Sequence, residues 1–147
     1  MTRRITLLNE KCAKIGFRFI FRGAAELCST CKYFKVCIQN LEEGRVYEVK
    51  EVRNRRLECK AYNMYVVPVV VEEPEIEALI EKRYAIEGAV ITFMEPQCDN
   101  YECHARKLCF PLGLKDGDKV RIIRVEETNE VYPCNKSLVR SFLRRIS

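Results

Sequence analysis

The sequence predicts a mainly β protein with short helices, built by internal duplication of one small β unit that carries a cysteine-ligated metal loop. Three observations predict this fold class. Short apolar segments alternate with charged residues at the period of two that half-buried strands show. Eight of the nine cysteines fall into two sets of similar spacing. The segments around these cysteines repeat at an offset that grows from 72 to 75 residues.

Strand candidates flank the first group of cysteines. Residues 5–8 form a short candidate, and in residues 16–21 three phenylalanines alternate with arginine and isoleucine. Residues 41–52 contain a glycine turn followed by apolar residues that alternate with charged ones. The β-branched segment 65–71 comes next. Because Pro68 has no N–H to donate, we expect this strand to lie at a sheet edge or to contain a bulge there.

The second half of the chain repeats this order. Residues 88–93 match 16–21, and residues 114–117 match 41–44. Val120, Ile122 and Val125 continue the match to Tyr47, Val49 and Val52, so we expect a strand there as well. We therefore divide the chain into a first repeat over residues 1–73, a linker over 74–86 and a second repeat over 87–147.

The ends of the second half are predicted from local signals. Pro74 and the acidic residues around it precede Ile76, Leu79 and Ile80, a spacing that predicts a short helix in the linker. Residues 138–146 fit a strand and a basic amphipathic helix equally well.

The cysteines form two sets of four, each a closely spaced triad followed by one distant cysteine. The first set is Cys28, Cys31, Cys37 and Cys59, and the second is Cys98, Cys103, Cys109 and Cys134. In a reducing cytosol such clusters indicate metal ligands before disulfides. The sequence therefore predicts two metal sites, one per repeat. Crossed sites, each built from both repeats, are the alternative pairing.

The spacing also bears on the metal. Structural zinc usually takes its four ligands as two closely spaced pairs. Three nearby thiols plus one distant thiol are the commoner arrangement for a 4Fe-4S cluster. The triad Cys28-x-x-Cys31-x5-Cys37 resembles the cluster motif of iron-sulfur-stapled nucleases and of the auxiliary-cluster domains of radical-SAM enzymes, whereas the second triad departs from it. We favour two 4Fe-4S clusters, with two structural zinc ions as the alternative.

Two further residues lie near or outside these sets. Cys12 belongs to neither set, and we expect it to be a buried thiol. His104 is the single histidine and adjoins Cys103. Since neighbouring residues on a loop usually point apart, we do not expect His104 to be a ligand.

No catalytic constellation is found. Glu48 and Lys50 have the spacing of metal-dependent nuclease strands, but no aspartate precedes Asp99 to supply the second carboxylate. A histidine dyad, a glycine-rich phosphate loop and a Ser/His/Asp set are also missing from the sequence. The sequence therefore predicts a protein that is not an enzyme.

The net charge of +5 is a weak argument for nucleic acid. Two four-thiolate sites holding zinc or an oxidised 4Fe-4S cluster would lower it to about +1. What remains is local clustering of arginines that could contact phosphate: Arg53, Arg55, Arg56, Arg121, Arg124, Arg140, Arg144 and Arg145. From these clusters we expect RNA or a ribonucleoprotein as partner.

Three function hypotheses follow from these features. The first is a non-catalytic, metal-stapled binding module that contacts RNA through the arginine clusters. The second is an iron-sulfur electron carrier or redox sensor, and the third is a scaffold subunit with a protein partner. Neither a signal peptide nor an apolar run of membrane-spanning length is found, so we expect a cytoplasmic protein without membrane association.

Several motifs resemble those of an uncharacterised archaeal protein family with a provisional designation. They are Cys28-x-x-Cys31-x5-Cys37, Leu-Glu-x-Gly-x-x-Tyr-x-Val over 41–49, Val-Glu-Glu-x-x-Ile over 71–76, Glu-Gly-Ala-x-Ile-Thr-Phe over 87–93, and Cys-Asp-Asn-Tyr-x-Cys with Leu-Cys-Phe-Pro over 98–111. The resemblance implies an archaeal, cytosolic origin. It implies no activity, cofactor or partner.

Overall fold

A computed structural model describes residues 3–22, 41–59, 63–127, 132–134 and 136–146 of the chain. The chain divides into two compact units, Met1–Pro74 and Glu75–Ser147. Each unit contains one antiparallel sheet, and the helices are few and short. The predicted mainly β class is therefore confirmed. Over the described ranges, no helix has the length and apolar character needed to cross a membrane.

The described residues of the first unit form five strands. They are β1 Arg4–Asn9, β2 Arg18–Ile20, β3 Val46–Val52, β4 Leu57–Cys59 and β5 Met64–Glu72. The sheet order is β1-β5-β3-β2, and β4 pairs with β5 beside the end of β3. The core packs Tyr47 and Val49 of β3 against Val69 and Val71 of β5. In β3 the buried side chains alternate with less buried or exposed ones, as the period of two predicts, whereas in β5 Val70, between Val69 and Val71, is buried as well.

Within the part of the second unit that the structure describes, there are four strands and one turn of α-helix. The elements are β6 Ile76–Glu81, β7 Val90–Thr92, α1 Arg106–Cys109, β8 Lys119–Glu126 and β9 Leu138–Arg145. The sheet order is β6-β9-β8-β7. One face buries Val120 and Ile122 of β8 against Val139 and Leu143 of β9. Residues 138–146, whose sequence fits a strand and a helix equally well, thus form a strand over Leu138–Arg145.

The two sheets contain matching backbone hydrogen bonds. In each unit, a glycine before the second strand and a glycine before the third strand have positive φ angles and donate to corresponding acceptors. The pairs are Gly16 N–H to Val49 O (2.9 Å) and Gly88 N–H to Ile122 O (2.7 Å), then Gly44 N–H to Phe21 O (2.7 Å) and Gly117 N–H to Phe93 O (2.8 Å). The pairing register also shifts at corresponding places, between Val49 and Glu51 and between Ile122 and Arg124.

The predicted linker helix over residues 74–86 is wrong. Residues 76–81 form strand β6, which pairs with β9 along its whole length, and only Lys82–Tyr84 form a 3₁₀ turn. Both faces of this strand are buried: Ala78 and Ile80 belong to the main core, and Leu79 belongs to a second cluster. A strand with apolar residues on both faces produces the i, i+3, i+4 spacing that also indicates a helix.

The expectation for Pro68 is also corrected. Strand β5 lies inside its sheet, and the register shift occurs in its neighbour β3. Pro68 is located where pairing with β3 ends at Val69 and pairing with β4 begins at Val66. Its carbonyl still accepts the Arg53 N–H at 2.9 Å. The missing donor is tolerated because it lies at the junction between two partner strands.

Candidate metal centre

The second cysteine triad lies on a segment that local hydrogen bonds shape. The Asn100 side-chain oxygen accepts the Glu102 N–H at 3.2 Å, which closes a tight turn between the first two cysteines. The Arg106 N–H then donates to the carbonyl of Cys103 at 3.1 Å, where α1 begins. This single helical turn ends at Cys109. The triad is thus carried by two consecutive turns of the chain.

A buried tyrosine brings the fourth cysteine of this set to the triad. Tyr132 is 3% exposed and forms one apolar cluster with Leu79 and Ala105. Its ring also stacks on the exposed ring of His104, with centroids 5.9 Å apart. Cys134 follows two residues later, so this cluster places the segment of Cys134 beside α1 and the end of β6.

All four cysteines of the second set line one cavity of about 800 Å³. They are Cys98, Cys103, Cys109 and Cys134. Apolar side chains contribute much of the remaining lining, among them Leu79, Ile91, Phe93 and Leu138. The predicted grouping of these residues into one set therefore corresponds to one place in the structure.

The thiols interact electrostatically. Burial raises the pKa of the Cys109 thiol above its ordinary value of 9.0, and negative charge on Cys103, Cys134 and Cys98 raises this pKa further. The cation of Lys136 acts in the opposite direction. Four thiolates in this arrangement repel one another, and a bound cation would relieve the repulsion.

The described residues do not include a preassembled set of metal ligands. Within the described ranges, no group of three or more His, Cys, Asp or Glu side chains is close enough together to hold a metal ion. A zinc ion requires every sulfur at about 2.3 Å from a single centre. A 4Fe-4S cluster binds each cysteine through a different iron and accepts wider spacing. What fits a metal group is the donor set, because four thiols select zinc or iron-sulfur clusters.

Three members of the first set, Cys28, Cys31 and Cys37, lie outside the described residues. The fourth, Cys59, is buried at the end of β4 among Leu7, Val66 and other apolar side chains. Cys12, which we expected to be buried, is only half-buried, in the turn that follows β1. Its N–H donates to the carbonyl of Asn9 at 2.8 Å.

Four of the candidate nucleic-acid-binding arginines share one face of the second sheet. Arg121 pairs with Arg144, Arg124 pairs with Phe142, and Arg140 lies two residues before Phe142 on the same strand. The alternation of side chains therefore places all four on the face opposite the main core. Arg145 pairs with the buried Val120 and belongs to the other face.

Glutamates lie on or beside the arginine face. Ion pairs join Arg124 to Glu126 (3.3 Å), Arg140 to Glu77 (3.0 Å) and Arg144 to Glu75 (3.5 Å). The Arg124 guanidinium also covers the Phe142 ring at 4.1 Å, while Arg121 donates to the carbonyl of Gly88 at 3.1 Å. Three of the four positive charges are thus offset by a neighbouring carboxylate.

The remaining arginine cluster belongs to the first unit, after β3. Arg53 lies 3.6 Å from the Glu51 carboxylate. Arg56 forms two hydrogen bonds to Glu10 and stacks over the Tyr65 ring at 3.7 Å. Arg55 is exposed. The three residues therefore have different surroundings and do not form one uniform basic patch.

The nuclease-like pair in β3 is held by local charges. The carboxylate of Glu48 accepts a hydrogen bond from Arg18 at 2.8 Å and forms an ion pair with Lys50. The hydrogen bond from Lys50 is the main cause that lowers the pKa of Glu48, followed by that from Arg18. This carboxylate therefore stays ionised between two cations.

Two residues at the cysteine cavity were missed by the sequence analysis. Arg106 lies inside the triad, and Tyr132 lies two residues before Cys134. A cation and an aromatic residue inside a set of ligands are the available signals for residues that organise such a site.

Two antiparallel sheets and a cavity lined by four cysteines define a small, cysteine-rich β protein. The chain belongs to the uncharacterised protein family UPF0179, whose profile matches residues 4–143. This finding confirms the resemblance inferred from the sequence motifs.

Relatives in this family are found in archaea. A UPF0179 protein of Methanothermobacter thermautotrophicus is 44% identical over 142 residues, which cover 95% of this chain and 96% of the relative. A UPF0179 protein of Pyrococcus abyssi is 46% identical and covers 82% of this chain and 84% of its own length. No solved structure shows a significant match to the chain.

Proposed function

We propose that this protein is a non-catalytic metal-binding protein whose second unit holds one metal group through Cys98, Cys103, Cys109 and Cys134. One observation carries the proposal: the three cysteines of the triad and the distant Cys134 line a single cavity. Lone thiols that serve only for packing have no need to gather at one place. Metal binding by such a set is coupled to folding, since the ligands must be brought together and deprotonated.

We assign a second metal site to Cys28, Cys31, Cys37 and Cys59 by internal duplication. The support is the shared strand order, first-last-third-second, together with the matching hydrogen bonds of the glycine turns. Duplication of a unit that closes around a metal yields one site per unit. Each metal then acts as a staple that couples its cysteine loop to a small sheet.

A 4Fe-4S cluster is our first choice of metal group, and zinc is the alternative. The order of the ligands along the chain supports the cluster, with three cysteines within residues 98–109 and one distant at Cys134, because a cubane uses a different iron for each cysteine. The cluster would supply reversible one-electron chemistry. A zinc ion would supply rigidity alone.

The experiment is metal, iron and sulfide analysis of the full chain purified without oxygen, together with its absorption spectrum. We expect broad absorbance near about 400 nm and about eight irons per chain. About two zinc ions per chain in a colourless protein would replace the cluster by structural zinc. Cys109→Ser should remove half of either metal, whereas the control Cys12→Ser should remove none. A wild-type chain without metal would refute the proposal.

RNA binding is a second candidate function. The observation that favours it is the arginine face of the second sheet, where four arginines surround Phe142. An aromatic ring among cations can stack a base and contact phosphates. The neighbouring glutamates reduce the net charge of this face, so the interaction should be modest and strongly dependent on salt.

Fluorescence anisotropy with a labelled single-stranded RNA tests this candidate. The affinity should fall as salt rises, and it should fall again in two multiple variants, Arg121→Ala/Arg124→Ala and Arg53→Ala/Arg55→Ala/Arg56→Ala. Lys107→Ala is the matched control for loss of an exposed charge outside both clusters. Unchanged affinity in both multiple variants would remove RNA binding through these arginines.

Electron transfer or redox sensing is the function that a cluster would favour. It requires reversible reduction of the bound clusters at an accessible potential. Anaerobic redox titration of the coloured protein measures this property directly. If neither metal site can be reduced reversibly, electron transfer and redox sensing are ruled out and the metal groups serve a structural role.

A further inference from the structure

The guanidinium of Arg106 lies between two aromatic rings at the cysteine cavity. The central carbon of the guanidinium, Cζ, is 4.2 Å from the centroid of the Tyr101 ring and 4.3 Å from that of the Phe110 ring. A planar cation between two ring faces gains attraction from both and has little freedom to rotate. The position of this side chain is therefore well defined.

The same guanidinium holds the segment that begins with Cys98. Its Nη1 atom donates to the carbonyl of Cys98 at 3.3 Å and to the carbonyl of Asn100 at 3.4 Å. Both bonds come from the two N–H groups of this one nitrogen, whose directions the planar guanidinium fixes. The freely rotating ammonium on a flexible lysine chain does not reproduce this geometry. The two acceptors lie at the start of the turn that separates Cys98 from Cys103.

Arg106 thereby connects all three cysteines of the triad. Its side chain contacts the backbone of Cys98, its own N–H donates to the carbonyl of Cys103 at 3.1 Å, and α1 joins it directly to Cys109. The residue also lines the cavity that the thiols share.

The charge of Arg106 is also distinctive. Arg124, Arg140 and Arg144 each have a carboxylate partner, whereas no ion pair among the described residues involves Arg106. Four thiolates keep about two negative charges after they bind zinc or an oxidised cluster. An arginine without a carboxylate partner next to them offsets part of that charge.

We propose that Arg106 is a positioning residue of the second metal site, holding the Cys98 segment against α1 and supplying a positive charge beside the thiolates. This inference rests on the proposed function. Groups that orient metal ligands typically change metal affinity by about 10- to 100-fold when removed. We expect removal of the Arg106 side chain to lower the metal affinity of the second site by a similar factor.

The experiment compares the full-length wild type with Arg106→Ala, Arg106→Lys and Arg83→Ala. Arg83 is the matched control, because it also stacks on a tyrosine, Tyr84, and is exposed on the same unit. Each protein is purified without oxygen, and release of its metal to excess EDTA is followed over time. The kinetic phase that disappears in Cys109→Ser identifies the second site.

We expect Arg106→Ala to release the second-site metal at least about tenfold faster, and Arg83→Ala to match the wild type. Arg106→Lys keeps the positive charge and loses the planar guanidinium, so its rate of metal release should lie between those of the wild type and Arg106→Ala. Release of the first-site metal should differ by less than about twofold between Arg106→Ala and the wild type, because the substitution lies in the other unit.

Two results would overturn the inference. One is equal release from Arg106→Ala and the wild type. The other is an equal acceleration of release from the first and the second site in Arg106→Ala, since that indicates general destabilisation. If the wild type carries no metal at all, the proposed function itself is refuted. This outcome is distinguishable from the two results above, because both require metal in the wild type.

Discussion

The Tyr132 and His104 rings are nearly parallel, with centroids 5.9 Å apart and an interplanar angle of 17°. This contact joins the segment of the last cysteine to the segment that carries the triad. The two rings differ in burial, since Tyr132 is 3% exposed and His104 lies at the surface. Tyr132 should therefore contribute more than His104 to the stability of the second unit.

Replacing Tyr132 by alanine should destabilise the second unit by about 3 kcal/mol, because it leaves a cavity beside Leu79 and Ala105. It should also accelerate metal release from the site that contains Cys134. Urea unfolding and metal-release kinetics measure the two effects. His104→Ala is the control and should cost at most about 1 kcal/mol, the value of an aromatic pair. Equal effects of the two substitutions would contradict this assignment.

The buried phenol of Tyr47 predicts a pH dependence in the first unit. Burial raises the pKa of Tyr47 above its ordinary value of 10.0, although the hydrogen bond that its oxygen accepts from the Glu42 N–H lowers this pKa in part. The unfolded chain therefore loses the phenol proton at lower pH than the folded chain. The stabilisation is complete below about pH 10 and is lost as the pH rises through the folded pKa.

Urea midpoints measured from about pH 8 upward should show this loss in the wild type and a smaller loss in Tyr47→Phe. At neutral pH the variant should be less stable by about 1 kcal/mol, since the Glu42 N–H loses its acceptor at 2.8 Å. Parallel pH curves for the two proteins would show that Tyr47 does not control the alkaline transition.

Gly117 has a φ angle of 91°, and no heavy atom outside its immediate neighbours lies within 4 Å of a β-carbon built on it. Gly117→Ala should therefore cost about 1 kcal/mol, entirely through backbone strain. Gly117→Asn should cost less, because asparagine tolerates positive φ better than alanine does. Thermal unfolding of the two variants compares these costs. A larger cost for asparagine than for alanine would point to steric crowding instead.

Ser141 is fully buried on β9, and its hydroxyl donates to the Ala78 carbonyl on β6 at 2.9 Å. Ser141→Ala removes this hydrogen bond between strands and should cost about 1 kcal/mol. The control is Ser137→Ala, because the exposed Ser137 accepts the Lys82 N–H through its backbone carbonyl, which the substitution keeps. Denaturant unfolding should separate the two variants, and equal stabilities would refute the role of the hydroxyl.

Local periodicity predicted most strands correctly. Strands β1, β2, β3, β5, β7 and β8 each overlap a segment whose apolar residues alternate or form a β-branched run. The alternating pattern arises where alternate side chains are buried, as in β3 and β8, whereas the β-branched run of β5 belongs to a strand that is buried on both faces. The prediction was wrong at β6, where Leu79 is buried on one face and Ile80 on the other. Burial of both faces removes the alternation on which the prediction depends.

The site shows a similar division. Spacing alone grouped Cys98, Cys103, Cys109 and Cys134, and these residues line one cavity. The role of Arg106 was not visible, because its partners are backbone carbonyls and ring faces, which leave no pattern of residue types. The arginine clusters were visible, but their glutamate partners were not, since Glu75 and Glu77 reach β9 only through strand pairing.

The sequence by itself determined the class of fold, the two cysteine sets and the family, because each depends on residue types at fixed separations along the chain. The tertiary structure decided that β6 is a strand, which arginines share a face and which of their charges are offset. It also decided that Tyr132 and Arg106 line the cysteine cavity. These features depend on contacts between segments distant in sequence, and only the folded chain brings those segments together.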